Sequence, residues 1–199
     1  MNFYSDDIID DMLEKSKKEE EEEEEEEEDV IDQIDRFKKL TDYLIHSYAS
    51  RDIHYKYTNH LLKDKKVKMA FYCMDMEFSL FNCPVILLYR KYFDRQANEI
   101  RYYLLLICTK RKFRNQGYAS KLLDQFIERV REENVINTTE GKKIKIILSS
   151  TEESVLFYES YGFRWTRESL SDHPLLMVYE KYEQGKEYFI LELFLREPL

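Results

Sequence analysis

The apolar run Tyr102–Cys108 is bounded by charge and followed, after a short polar stretch, by Leu122, Leu123, Phe126, Ile127 and Val130 at helical spacing. A continuous apolar run of this kind suits a strand buried on both faces. The repeat after it predicts an amphipathic helix over about residues 117–133. The chain therefore passes from a buried strand straight into a helix, and Arg114–Ser120 is the loop and first turn between them. Only four glycines occur in the whole sequence, Gly117, Gly141, Gly162 and Gly185, and one of them lies in this junction. Glycine lets a backbone turn sharply or approach a ligand closely. The first N–H groups of a helix lack intrahelical partners and carry the positive end of its dipole, so such a junction can hold a phosphate or pyrophosphate. Gly117 lets the backbone close on the anion, Ala119 keeps the turn narrow, and Arg114 adds a charge. Asn115, Gln116, Tyr118 and Ser120 complete the loop.

A second apolar segment, Ile144–Leu148, reads as another strand. The helix after it starts near Thr151, with Ser150 or Thr151 as cap and Glu152 and Glu153 in the first turn, where acids are favoured. It carries Val155, Leu156, Phe157 and Tyr158. It ends around Gly162, a residue suited to the left-handed conformation that closes helices.

Arg114, Gly117 and Ala119 occupy the defining positions of Arg/Gln-x-x-Gly-x-Gly/Ala, and Tyr158, Glu159, Gly162 and Phe163 match Tyr-Glu-x-x-Gly-Phe. In this order and spacing the chain resembles the GCN5-related N-acetyltransferase (GNAT) superfamily over roughly residues 100–182. The resemblance implies an α/β fold: a mixed, mostly antiparallel sheet with splayed central strands flanked by helices. It implies acetyl-CoA as co-substrate, with pantetheine pairing to the free edge Ile107–Cys108–Thr109 and the pyrophosphate on residues 114–120. An N–H on that edge would hold the oxyanion. Tyr158 takes the role of the acid that protonates the departing thiolate. Two positions depart from the family. Where members often carry Asn against pantetheine, this chain has Thr151. Where histone-acetyltransferase-type members carry a glutamate base, it has Tyr103. Glu99 lies four residues earlier on the same strand face, about 13 Å away at strand rise. The candidate bases are Glu99, His173 in the loop Ser169–Pro174, or water.

Charge divides the chain. Residues 1–35 hold eighteen acids, ten of them the run Glu19–Glu28, against Lys15, Lys17 and Lys18; the whole chain is −9, so residues 36–199 carry +6. Residues 1–29 read as a self-repelling, disordered acidic tail. Residues 30–199 read as the acetyltransferase-like domain, mildly basic as a binder of a polyphosphate cofactor should be. Within it we expect helices at 30–49 and 54–63. Strands are expected at Lys66–Cys73, Phe81–Arg90, Glu99–Thr109, Phe163–Arg167 and Leu175–Tyr182, with turns near Met74–Glu77 and Asp94–Ala97. Tyr188–Leu195 is either a last strand or a packed terminal segment.

The three cysteines, Cys73, Cys83 and Cys108, are odd in number and dispersed. Together with an acidic N-terminus unlike a secretory signal, this points to an intracellular, cytoplasmic or nuclear protein with reduced thiols. No run is long enough to span a membrane. His46, His54, His60 and His173 show no metal-ligand spacing, so no metal is expected. A nucleic-acid partner fits poorly, because the tail repels phosphate. The leading expectation is acetyl transfer from acetyl-CoA to a primary amine: a protein lysine, a protein N-terminus or a small amine such as a polyamine. A basic protein attracted by the tail is one such acceptor. The alternative is an inactive acyl-CoA-binding or interaction module working through the acidic tail.

Overall fold

The computed structural model describes residues 57, 60, 61, 63–74, 82–139, 141–176 and 187–195. The acidic tail read over 1–29, and the helix read over 30–49, lie outside the described residues. Of the helix read over 54–63, the described positions 57, 60, 61 and 63 are helical.

Strand β1 is Val67–Tyr72, β2 Val85–Asp94 and β3 Glu99–Thr109. Helix α1, Tyr118–Glu133, follows, then the short α2, Val135–Thr139. Strand β4 is Lys143–Ser150, α3 Glu152–Glu159, β5 Arg164–Trp165 and β6 Phe189–Leu195. The six strands form one sheet in the order β1-β2-β3-β4-β6-β5. Every neighbouring pair is antiparallel except β3 and β4, which run parallel. This is the mixed, mostly antiparallel sheet expected from the sequence.

The apolar stripe of α1 explains its placement. Leu122, Leu123, Phe126, Ile127 and Val130 are buried together with Leu87, Tyr89, Tyr102, Leu104, Ile146 and Leu148 in one cluster. Each fully buried aliphatic side chain contributes about 1.5–3 kcal/mol relative to exposure, so this one stripe fixes the helix to the sheet. On β3 the cluster takes Ile100, Tyr102 and Leu104, then Ile107 packs against it. The step from Leu104 to Ile107 is odd where strand alternation demands an even one. The cause is a bulge. Tyr89 pairs with Leu104 and Leu88 with Leu106, so Leu105 has no partner on β2. A bulge bends its strand and increases the local twist.

That bend has a consequence on the other edge. β3 pairs with β4 from Glu99↔Lys143 only as far as Leu104↔Leu148. Beyond Leu104 the two parallel strands part, and β4 continues as Ser149 and Ser150 against β6 alone.

Some element boundaries differ from the sequence reading. β2 begins at Val85, not Phe81, because Pro84 has no N–H to give a ladder. β5 shrinks to Arg164–Trp165, and Arg167 turns out of it with φ 63°. Leu175 and Leu176 form a turn, and the rest of the strand read there lies outside the described residues. Tyr188–Leu195 resolves as a strand from Phe189.

Candidate active site

Where β3 leaves β4, a cleft of about 130 Å³ opens, lined by Leu104–Ile107 on one side, Ser149–Thr151 on the other, and Ser154, Tyr158 and Tyr188. The ladder chemistry of its β3 wall can be read from one bond. The Lys110 N–H donates to the Pro84 carbonyl at 2.8 Å. In an antiparallel ladder every second residue bonds the partner, so Cys108 and Leu106 also turn their backbone groups to β2. Ile107 and Thr109 therefore present theirs to the gap. Of the edge Ile107–Cys108–Thr109, the alternation offers Ile107 and Thr109 to a ligand and commits Cys108 to the sheet. The Thr109 carbonyl also accepts from Arg114 Nε at 3.4 Å.

The bulge itself is held from outside the sheet. The Tyr57 hydroxyl donates to the Leu105 carbonyl at 2.7 Å, with both residues buried. No sequence pattern marks this contact, which spans 48 residues.

Tyr158 stands on α3 at the cleft. Its ring packs edge-on against Phe157 and Phe163. Among the described residues its hydroxyl has no hydrogen-bond partner. Burial alone pushes its pKa above the ordinary 10.0, because the phenolate would be stripped of water. A neutral phenol held in a cleft is a proton donor across the whole neutral range. Thr151 caps α3 at Glu152–Glu159, yet its side chain makes no capping hydrogen bond; it lines the cleft instead.

The loop before α1 winds through two left-handed residues, Asn115 at φ 62° and Gly117 at φ 79°. A Cβ added to Gly117 would meet no atom within 4 Å, so the glycine is needed for backbone conformation rather than for room. Gln116 Nε2 donates to the Lys112 carbonyl at 3.0 Å, bracing the loop. No side chain caps α1, and its first turn, from Tyr118 through Ala119 and Ser120, holds no acid. Those N–H groups carry the positive helix end, and Gly117 at its start offers no side chain to accept from them. Lys121 lies over the Tyr118 and Tyr72 rings. The arrangement fits an anion such as a pyrophosphate.

The two carboxylate and imidazole candidates separate. Glu99 is buried at the start of β3, ion-paired to Arg101 at 2.9 Å and to Lys145 at 3.2 Å. It pairs with Lys143, at the end of β3 away from the splay, about 20 Å before Leu105 at strand rise. The structure does not bring Glu99 to the cleft.

His173 is buried beside Tyr103, the residue directly preceding the cleft wall. Its Nε2 lies 2.9 Å from Glu168 Oε2 and its Nδ1 3.4 Å from the Tyr103 hydroxyl. A carboxylate only accepts, so Nε2 carries the hydrogen; with the ring neutral, Nδ1 accepts from Tyr103. The result is a chain Tyr103–His173–Glu168 pointing one way. Sequence reading placed Tyr103 at the family's base position and His173 in a loop, but nothing in the spacing joins them across 70 residues. No group of His, Cys, Asp and Glu residues placed to hold a metal occurs among the described residues.

Residues 93–181 match the family model described as an acetyltransferase (GNAT) domain. The sequence matches none of the curated proteins compared with it. Solved structures share the fold. The NatC complex bound to Gag peptide and CoA is 16% identical, with a TM-score of 0.52, covering 78% of this chain and 90% of that one. Arabidopsis thaliana NAA60 in complex with acetyl-CoA is 9% identical, with a TM-score of 0.51, covering 78% and 93%. Tetrahymena GCN5 is 12% identical, with a TM-score of 0.50, covering 80% and 86%.

Proposed function

We propose that this chain belongs to the GNAT acetyltransferase superfamily, whose domain model residues 93–181 match, and transfers the acetyl group of acetyl-CoA to a primary amine. The observation that carries the reading is the cleft itself: a splay between β3 and β4, with Tyr158 at its wall, its hydroxyl unpartnered among the described residues. The acceptor is a protein lysine, a protein N-terminus or a small amine. The free thiols of Cys73, Cys83 and Cys108 suit a reducing compartment inside the cell.

In this reading the pyrophosphate sits on the first-turn N–H groups of α1, reached through the left-handed backbone of Gly117. Pantetheine lies along the open edge of β3, and the Ile107 N–H faces the thioester carbonyl. A single fixed oxyanion-hole donor contributes about 2.7–4 kcal/mol to an acyl-transfer barrier elsewhere. Direct attack by the amine needs no enzyme nucleophile, so the protein supplies proximity and proton handling. Tyr158 gives its proton to the departing thiolate. The attacking nitrogen loses its proton toward Tyr103, which passes its own to Nδ1 of His173, and Glu168 stabilises the imidazolium. Glu99 is left to the ion pairs of the sheet.

Calorimetric titration with acetyl-CoA tests the cofactor half of this reading, comparing the native chain with Gly117→Asp. The new Cβ meets no atom, but φ +79° strains any L side chain there, so the Tm of the variant is measured beside its affinity to separate lost fold from a carboxylate entering the pyrophosphate position. The native chain should bind and the variant should bind at least about tenfold more weakly, a loss of about 1.4 kcal/mol. Equal affinity in both, or no binding to either, overturns it.

A further inference from the structure

Cys73 and Cys83 flank the end of the β1–β2 hairpin, outside the residues that line the cleft and unused by the chemistry above. In β1 and β2 the last ladder pair is Tyr72↔Val85. Beyond it the Met74 N–H donates to the Asn82 carbonyl at 2.9 Å. Those two pairings differ by one residue in register, so the strands slip by one between them. The slip leaves Cys73 facing two residues, Cys83 and Pro84, on the other side. Side chains of opposed antiparallel residues lie close together, with Cβ atoms about 4.5–5.5 Å apart, near the range that a disulfide bridges. Cys73 is near enough to raise the pKa of the Cys83 thiol, and that thiol donates to the Val85 carbonyl at 3.6 Å.

We propose that Cys73 and Cys83 form a reversible dithiol–disulfide pair, a modification site whose oxidant is a small disulfide of the glutathione type. Cys73 is half-buried and Cys83 is fully buried. Burial pushes the Cys83 thiol up to about 12 and keeps it protonated, so the reagent meets Cys73 first. The Cys73 thiolate attacks one sulfur of glutathione disulfide; the S–S bond breaks and one glutathione leaves as thiolate, taking a proton. Cys83 then gives up its proton and attacks the Cys73 sulfur, displacing the second glutathione. Two protein thiols are oxidised to one disulfide, and one glutathione disulfide is reduced to two thiols.

The position gives the bond a target. The hairpin end touches the end of β3 through Pro84 and Lys110, and the pyrophosphate loop through the Tyr118 hydroxyl on Met74 Sδ at 3.4 Å. A disulfide there fastens the strands on which the start of α1 rests. Cys108 pairs with Ile86 of β2 in the ladder and serves as the internal control.

The test incubates the full chain with glutathione disulfide and maps the products by intact mass and peptide sequencing. The native protein should lose two thiols, carry no glutathione, and yield a peptide linked through Cys73 and Cys83. Cys83→Ser should stop at a stable glutathione adduct on Cys73, and Cys73→Ser should form neither product. Dithiothreitol should restore both thiols of the native chain. A persistent glutathione adduct on the native protein, a bond that uses Cys108, or two thiols that survive the oxidant overturns the proposal. Acetyl-CoA binding plays no part in these readouts, so the result stands apart from the reading of the cleft.

Discussion

The Tyr57 hydroxyl donates to the carbonyl of Leu105 at 2.7 Å, and Leu105 is the unpaired residue at which β3 bends away from β4. A residue far upstream in sequence thus holds the bulge that opens the cleft. The bulge turns Ile107 into the core face and leaves its backbone groups on the gap.

Removing that donor should loosen the site. Tyr57→Phe leaves a buried carbonyl without its partner, a cost of about 1–3 kcal/mol. The expected fall in Tm is roughly 2–10 °C, accompanied by weaker acetyl-CoA binding. A variant as stable as the native chain and equal to it in affinity would separate the bulge from the hydroxyl.

Thr151 makes the reverse prediction. A capping Ser or Thr replaced by Ala ordinarily costs about 1 kcal/mol, but the Thr151 side chain makes no capping bond. Thr151→Ala should therefore leave the midpoint of chemical denaturation nearly unchanged while lowering affinity for acetyl-CoA. A normal capping loss with affinity intact would show that the hydroxyl serves the helix and not the cleft.

The chain Tyr103–His173–Glu168 should behave as one unit in catalysis. Tyr103→Phe and His173→Ala are each expected to lower kcat by about 10²-fold or more, the usual range for proton transfer by a positioned group. The double variant should lose little beyond either single one, as groups acting in series do. Acetyl-CoA affinity should hold in all three. Losses that multiply, or that follow weakened cofactor binding, would assign the pair a structural role.

Buried protons set the alkaline limit of the fold. Burial raises the pKa of Tyr89, Tyr103 and Tyr158 above the ordinary 10.0, and that of Cys83 from 9.0 to about 12. The native state keeps these protons where the unfolded chain releases them. Their contribution is complete below the unfolded values and is lost as pH rises, by up to about 1.4 kcal/mol per pH unit for each group. Urea unfolding followed from about pH 8 to about pH 11 should show stability constant at first and falling beyond about pH 9. Flat stability over that span would contradict the burial of these side chains.

What the sequence makes legible follows from local rules. The apolar run and its charged ends place β3 at Glu99–Thr109, and the stripe Leu122–Val130 places α1, because burial periodicity acts within one element. Gly117 and Gly162 announce their left-handed backbones because so few other residues accept them. The rest depends on pairing between distant segments. The bulge at Leu105 arises from register with β2, and the Tyr103–His173 bond from a loop folding back over the sheet. Glu99 has the right residue type on the right strand, but its ion pairs with Arg101 and Lys145 lie on neighbouring positions that a linear reading does not juxtapose. Helix α2, Val135–Thr139, escapes the periodicity argument because it is short and its Val135 and Ile136 are exposed.

The central claim is that Tyr158 serves acetyl transfer in the cleft between β3 and β4. Steady-state release of CoA with a panel of primary amines, beside the dissociation constant for acetyl-CoA, tests it in the native chain and in Tyr158→Phe. The hydroxyl has no hydrogen bond to lose among the described residues, so the variant should fold and bind acetyl-CoA within about twofold of the native chain. Its kcat should fall by about 10²-fold or more. Equal turnover in both proteins, or no CoA release from the native chain with any amine, would contradict the account.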